Sequence, residues 1–259
     1  GGLGMVDLLL GVDPRVEPHA ALVQEFCGLT VDRNDFGPPE QDIFDGAERA
    51  GGSLDDGMRH YLAELYGMDL QVGRLLDRLR DLGLEEDTVV IFTSDHGAAP
   101  PLPGSQSHPD RMVGVSGGLR GAKHDLYEGG VRVPFIVRYP AAFPRGAVNH
   151  GTIMSGLDFL PTIASIAGAR YDAAMFEGED LSDVWEGGGG GGGQRSRTNP
   201  IFWKFSRSGG ERAILHGRWK LYRTNQDGRR ELYDLEADRA EVTNLIRQQP
   251  AIAAALDSA

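Results

Sequence analysis

The stretch Thr88-Val-Val-Ile-Phe-Thr-Ser-Asp95-His96-Gly97 sets a carboxylate beside an imidazole at the end of an apolar run. Ligands of open α/β sheets gather beyond the carboxyl ends of the strands, so an Asp-His pair there is a candidate metal or anion site. The alternative is a strand-end Asp95 that caps the next turn beside an exposed His96. Gly97 then lets the chain turn sharply. The six residues before Ser94 are mostly β-branched or aromatic and read as a strand buried on both faces, as in a parallel sheet.

The elements that must position this pair follow from hydrophobic period. Ser53-Leu-Asp-Asp56 reads as an N-cap with an acidic first turn. Apolar residues then recur from Met58 through Leu65, Val72 and Leu75 to Leu79 in steps of three and four, which predicts a helix with one buried face. Gly83 is placed to end it in the left-handed conformation. A helix feeding a buried strand is half of a βαβ unit. A second apolar strand is expected over Val131–Tyr139, entered from the segment Arg120 to Gly130. Asp158 is placed to cap a helix running to Ala167, with Pro161 in its first turn and Gly168 after its end. Three short strands, Ala213–His216, Trp219–Arg223 and Glu231–Leu235, are separated by turn residues and predict a small antiparallel sheet. An Ala-rich terminal helix closes the chain.

Val6–Val12 reads as a short strand, and residues 28–52 read as a long irregular connection of the kind that is functional or mobile. The seven glycines from Gly187 to Gly193 read as a flexible surface loop. The predicted organisation is an α/β domain over 1–185, a Gly-rich loop over 186–199 and a small α+β subdomain over 200–259.

The formal charge of -12 argues against a nucleic-acid backbone or an anionic membrane as main partner, while leaving room for a local cationic pocket. No apolar run is long enough to span a bilayer. Cys27 is the one cysteine, so an intrachain disulfide is excluded and the compartment stays open.

Four stretches in order make this chain resemble the C-terminal half of a sulfatase of the alkaline phosphatase superfamily. They are Tyr61 to Leu76 leading to Thr93-Ser-Asp95-His96-Gly97; Leu119-Arg-Gly-Ala-Lys123 through Tyr127-Glu128-Gly-Gly to Pro134; Asp158-Phe-Leu-Pro161-Thr162 before Ala167-Gly168-Ala169; and Arg218-Trp-Lys-Leu221 with Glu231-Leu-Tyr-Asp-Leu235, Glu241 and Asn244. The resemblance implies a mostly parallel central sheet flanked by helices, with a small C-terminal antiparallel sheet. It implies hydrolysis of a small-molecule or saccharide sulfate ester. Asp95 and His96 match the family's metal-ligand pair, for Ca²⁺ first, with Mg²⁺ or Mn²⁺ as alternatives. Lys123 matches the lysine that touches the sulfate and the leaving oxygen, and the adjacent His124 is a candidate pocket residue. Pro18-His19-Ala-Ala-Leu22 resembles the segment whose His protonates the leaving group, although Ala21 stands where the family has proline. Many members carry Asn in place of His96, which opens a phosphonate monoester or phosphodiester as alternative substrate. A third reading is a non-catalytic remnant of the fold. Tyr127-Glu128-Gly-Gly reads as architectural, and Arg120 and Arg132 as surface or ion-pair residues.

The family's nucleophile is a formylglycine made in a Cys-x-Pro-x-Arg segment. Cys27 is followed by Gly-Leu-Thr-Val, so it does not match, and no nucleophile is expected within these 259 residues. With the fold incomplete at its N-terminus and two metal ligands in view, weak metal binding and no turnover are expected of this chain alone.

Overall fold

The computed structural model describes residues 56–99, 116–187, 195–205 and 210–258, with side chains from 65 onward except 66. His19, Cys27, the Val6–Val12 strand, the 28–52 connection and most of the glycine run lie outside the described residues. Those described fall into two compact units, 56–91 with 98–99, and 92–97 with 116–258.

The first unit is dominated by helix α1, Asp56–Asp81. Its apolar face buries Leu75 and Leu79 with Leu84, and Leu76, Leu82 and Val90 pack around them. Gly83 adopts φ +69, and its N–H donates to the carbonyl of Arg80, so the helix ends as the glycine predicts. A 3₁₀ turn, Glu85–Asp87, leads to strand β1, Val90–Thr93. The strand starts two residues later than expected because Thr88 is held by the turn: its hydroxyl donates to the Leu84 carbonyl at 2.8 Å. All four β1 residues are partly rather than fully buried, and among the described residues the one hydrogen-bonded neighbour of β1 is β2.

The second unit holds the rest. Helix α2 is a single turn, Glu128–Val131, and β2 is shorter than expected, Phe135–Arg138. The reason is a turn at the glycine pair: Gly130 N–H and Val131 N–H both donate to Tyr127 O, at 2.8 and 3.2 Å, while Gly129 N–H donates to Arg120 O. Helix α3, Phe159–Ile166, follows a 3₁₀ turn, and Gly168 at φ +65 ends it. Asp158 does not cap it through its side chain. The carboxylate instead accepts from Ser155 N–H at 2.7 Å and Glu179 N–H at 2.7 Å and pairs with buried Arg197 at 2.5 Å. A short helix α4, Ser182–Trp185, packs nearby on α3, with Thr162 Oγ1 accepting from Leu181 N–H at 2.9 Å.

The C-terminal sheet is an antiparallel meander of four strands: β3 Ile201–Phe205, β4 Glu211–His216, β5 Trp219–Thr224 and β6 Arg230–Asp234. The three predicted strands are present, and β3 is an addition to them. Register pairs Ala213 with Tyr222 and Leu221 with Leu232, so alternate residues serve opposite faces. One face packs Ala213, Leu215, Tyr222 and Tyr233 against Leu126 and Tyr127. The other packs Ile214, Leu221 and Leu232 against Ala253 and Leu256 of the terminal helix α5, Pro250–Asp257. The sheet is therefore covered on both sides. No described helix is long and apolar enough to cross a membrane.

Candidate functional site

The turn after β1 and the loop 116–130 are joined backbone to backbone. Gly97 N–H donates to Gly130 O at 2.9 Å, and Gly129 N–H donates to Arg120 O at 2.6 Å. Only glycine fits at this crossing. A methyl group on Gly97 would lie 1.8 Å from Gly129 O, one on Gly129 2.2 Å from Gly121 O, and one on Gly130 2.1 Å from Asp125 O. None of these three is required for a left-handed φ; the requirement is space. Ser116 Oγ reaches both Gly121 O at 3.1 Å and Gly129 O at 3.2 Å, tying the start of the loop to the same crossing. The segments carrying Asp95, His96 and Lys123 are thus stitched into one piece of backbone.

Lys123 and His124 sit at the two central positions of a tight turn. Asp125 N–H donates to Ala122 O at 2.9 Å, and Ala122 N–H donates to Asp125 Oδ2 at 2.9 Å. His124 has φ +80, the value that the third residue of a type II turn needs and that glycine normally supplies. A bulky residue there is strained, and strain of this kind collects at functional sites. The imidazole stacks on Phe205 of β3 with centroids 5.9 Å apart. Lys123 is partly buried and forms no ion pair with another described residue.

Asp95 projects its side chain into solvent, 81% exposed, and His96 is about one third exposed. His96 Nδ1 lies 2.9 Å from Gly97 O, which can only accept, so Nδ1 carries the proton in the neutral ring. That leaves Nε2 as a lone pair 3.1 Å from Asp95 Oδ2, another acceptor. Two acceptors at this distance call for a cation, either a proton on the ring or a metal ion. Cis ligands on an octahedral ion at about 2.1–2.4 Å are about 3.0–3.4 Å apart, so the pair fits one side of a hard divalent ion. Such ions take about six to eight donors. Among the described residues no group of three or more His, Cys, Asp or Glu side chains converges on a common point. The sequence-expected His19 lies outside the described residues.

Behind the loop lies a buried polar network that carries no solvent-facing chemistry. Lys220 of β5 is fully buried, with Nζ 2.9 Å from Glu128 Oε1 and 3.0 Å from Glu241 Oε1. Glu241 Oε2 accepts from Glu128 N–H at 2.6 Å, and Glu128 Oε2 accepts from Arg132 Nε at 2.5 Å. Burial pushes the Glu241 carboxyl above the usual range, and Lys220 opposes that rise. Arg120 lies over the Tyr127 ring at 3.9 Å and donates to Tyr233 Oη at 2.6 Å and Glu241 O at 3.1 Å. Tyr127 and Tyr233 both donate to Glu231 Oε2, at 2.6 and 2.8 Å. Burial first, then Glu231, pushes both phenols far above their usual range, so they remain neutral donors. Arg120 and Arg132 are therefore ion-pair residues, as their sequence context suggested. Sequence reasoning saw Glu241 only as part of a terminal pattern and did not foresee Lys220 as buried. The signal was present in β5, where Lys220 shares the alternation of Tyr222, a core residue.

The donor pair after β1 and the Lys123 turn are thus carried on one hydrogen-bonded piece of backbone. The chain belongs to the sulfatase family: residues 16–169 match the sulfatase model. Residues 122–257 match the model of the N-sulphoglucosamine sulphohydrolase C-terminal part. A sulfatase of Formosa agariphila is 32% identical over 208 residues, covering 73% of this chain and 36% of the relative. A crystal structure of Ps i-CgsB superposes with TM-score 0.69 at 22% identity, covering 85% of this chain and 44% of that one. The structure of BT4656 in complex with its substrate D-glucosamine-2-N,6-O-disulfate superposes with TM-score 0.57 at 23% identity, covering 82% and 43%. The fold is accordingly alkaline phosphatase-like α/β. The chain spans less than half the length of these relatives.

Proposed function

We propose that the complete gene product hydrolyses a sulfate ester, with Asp95, His96 and Lys123 serving one site and the central sheet mostly parallel. The observation that carries this reading is the glycine crossing, in which the Asp95–Gly97 turn and the loop bearing Lys123 are hydrogen-bonded to each other. As the S–O bond breaks, negative charge grows on the bridging oxygen. A fixed ammonium at Lys123 stabilises that charge more in the transition state than in the ground state. His124, held by its stack on Phe205, lines the same turn and faces the substrate. An imidazole at His19 would deliver the proton to the leaving oxygen, a role for which histidine as a residue type is suited. Asp95 and His96 would hold one side of a divalent ion, Ca²⁺ in preference to Mg²⁺ or Mn²⁺, which when bound withdraws charge from the sulfate oxygens. The substrate class is a sulfated saccharide or small molecule, by analogy with the disulfated glucosamine bound by BT4656.

The test is relative kcat/KM of the complete gene product on an aryl sulfate and an aryl phosphonate. The sulfate is expected to be turned over faster. A preference for the phosphonate would replace this reading with the alternative, and inactivity on both would remove the esterase reading.

A further inference from the structure

Glu241 touches the loop of Lys123 at both of its feet. Its carboxylate accepts the Glu128 N–H at 2.6 Å, at the C-terminal foot, and its backbone carbonyl accepts from Arg120 at 3.1 Å, at the N-terminal foot. The two feet are themselves joined, because Arg120 O accepts from Gly129 N–H. Lys123 lies in the stretch between them. Glu241 is fully buried and adopts φ +55, a left-handed conformation that a side chain bearing a Cβ takes only under constraint. Its other carboxylate oxygen faces Lys220, itself fixed in the C-terminal sheet. A buried carboxylate of this kind costs desolvation energy, which a purely apolar contact would avoid. What it supplies in return is a directional acceptor for one particular amide.

We propose that Glu241, in the segment after β6, is a positioning residue that clamps the Arg120–Gly130 loop and so fixes where the Lys123 ammonium stands. The inference rests on the reading of Lys123 given above. Glu241 touches no substrate; it acts on turnover through the backbone of the loop. Lys220 sets the charge of the clamp and the Glu128 amide sets its direction. The clamp predicts a particular signature: loss of Glu241 loosens the loop more than the sheet, and its effect on turnover passes through Lys123.

The test has two arms. Amide hydrogen exchange on the 259-residue chain compares wild type with Glu241→Gln and Glu241→Ala. At least tenfold faster exchange is expected at Glu128 and Gly129 in Glu241→Ala, with a smaller rise in Glu241→Gln, which keeps an acceptor oxygen. The amides of β4 and β5 should stay within twofold of wild type. In the complete gene product, Glu241→Gln should lower kcat about tenfold with KM changed less than threefold, and should have no further effect in a Lys123→Ala background. A rise in exchange spread evenly over loop and sheet, or the same fold-loss of kcat with and without Lys123, would overturn the clamp. Wild-type turnover by Lys123→Ala alone would instead overturn the reading of Lys123, and with it the functional role given to Glu241.

Discussion

The loop around Lys123 and the C-terminal sheet that supports it are built on opposite plans. At the loop, backbone packs on backbone through Gly97, Gly129 and Gly130, and beside it the Asp95 carboxylate stands in solvent. In the sheet, side chains pack on side chains across both faces, and Lys220 of β5 is sealed from water with Glu241 of the segment that follows β6. The same residue types therefore mean different things. Lys123 forms no ion pair with another described residue, whereas Lys220 is committed to two carboxylates. The difference shows how a site can be exposed and still be held in place, since the rigidity is supplied from behind.

The comparison breaks most readily at its tightest point. Gly129→Ala would place a methyl group 2.2 Å from Gly121 O and 2.5 Å from Arg120 O, both backbone atoms that cannot step aside. Destabilisation of about 3 kcal/mol or more is expected from overpacking on this scale, read as a lowered urea midpoint. Lys220→Met comes next in expected size. It leaves Glu128 and Glu241 facing each other without their shared cation, at a cost of about 3–5 kcal/mol by the same measurement. By contrast Gly217→Ala meets nothing within 4 Å and pays only for its φ of +58, about 1–2 kcal/mol.

A smaller effect sharpens the same contrast through pH. The Glu241 carboxyl titrates higher in the folded chain than a free glutamate does, chiefly through burial. A raised folded pKa means that the native state binds the proton more tightly, so the group's contribution is fully present below the unfolded value and is lost as pH rises through the folded one. The Tm of wild type minus that of Glu241→Gln should therefore fall as pH is raised from about 4 toward neutrality. Asp234 works the other way. The hydrogen bond from Arg218 holds its carboxyl below the usual range, so its contribution is present above the unfolded pKa and is lost as pH falls through the folded one. Asp234→Asn should flatten the acid limb of the Tm profile.

How much of this was legible in the sequence depends on which kind of interaction was involved. Helix α1 was legible because its apolar residues recur with helical period, and its end was legible because Gly83 has the conformation glycine allows. Strands β4 to β6 were legible because turn residues punctuate them. The Asp95–Gly97 turn and the Lys123 loop were legible through their motifs. What was not legible was everything set by distant partners. Strand β3 follows a turn signal, Asn199-Pro200, that was not read as one, and its place is decided by pairing with β4. The turn at Tyr127-Glu128-Gly-Gly was read from its glycines, but not their close packing on the 120–125 backbone. Asp158 was read as a cap and is instead the partner of Arg197, 39 residues away. Lys220 and Glu241 look like surface charges until the sheet's second covered face is known.

The central claim is that Asp95 and Lys123 serve a single site without supporting the fold. It is tested most directly by steady-state kinetics of Asp95→Asn and Lys123→Ala in the complete gene product on an aryl sulfate, at graded Ca²⁺, with Tm recorded for each. Both variants are expected to lose about 100-fold or more in kcat, the scale of a lost charge-stabilising group. Their Tm should match wild type, and only Asp95→Asn should recover part of its rate as Ca²⁺ is raised. Wild-type turnover in either variant, or losses that follow a fall in Tm, would contradict it.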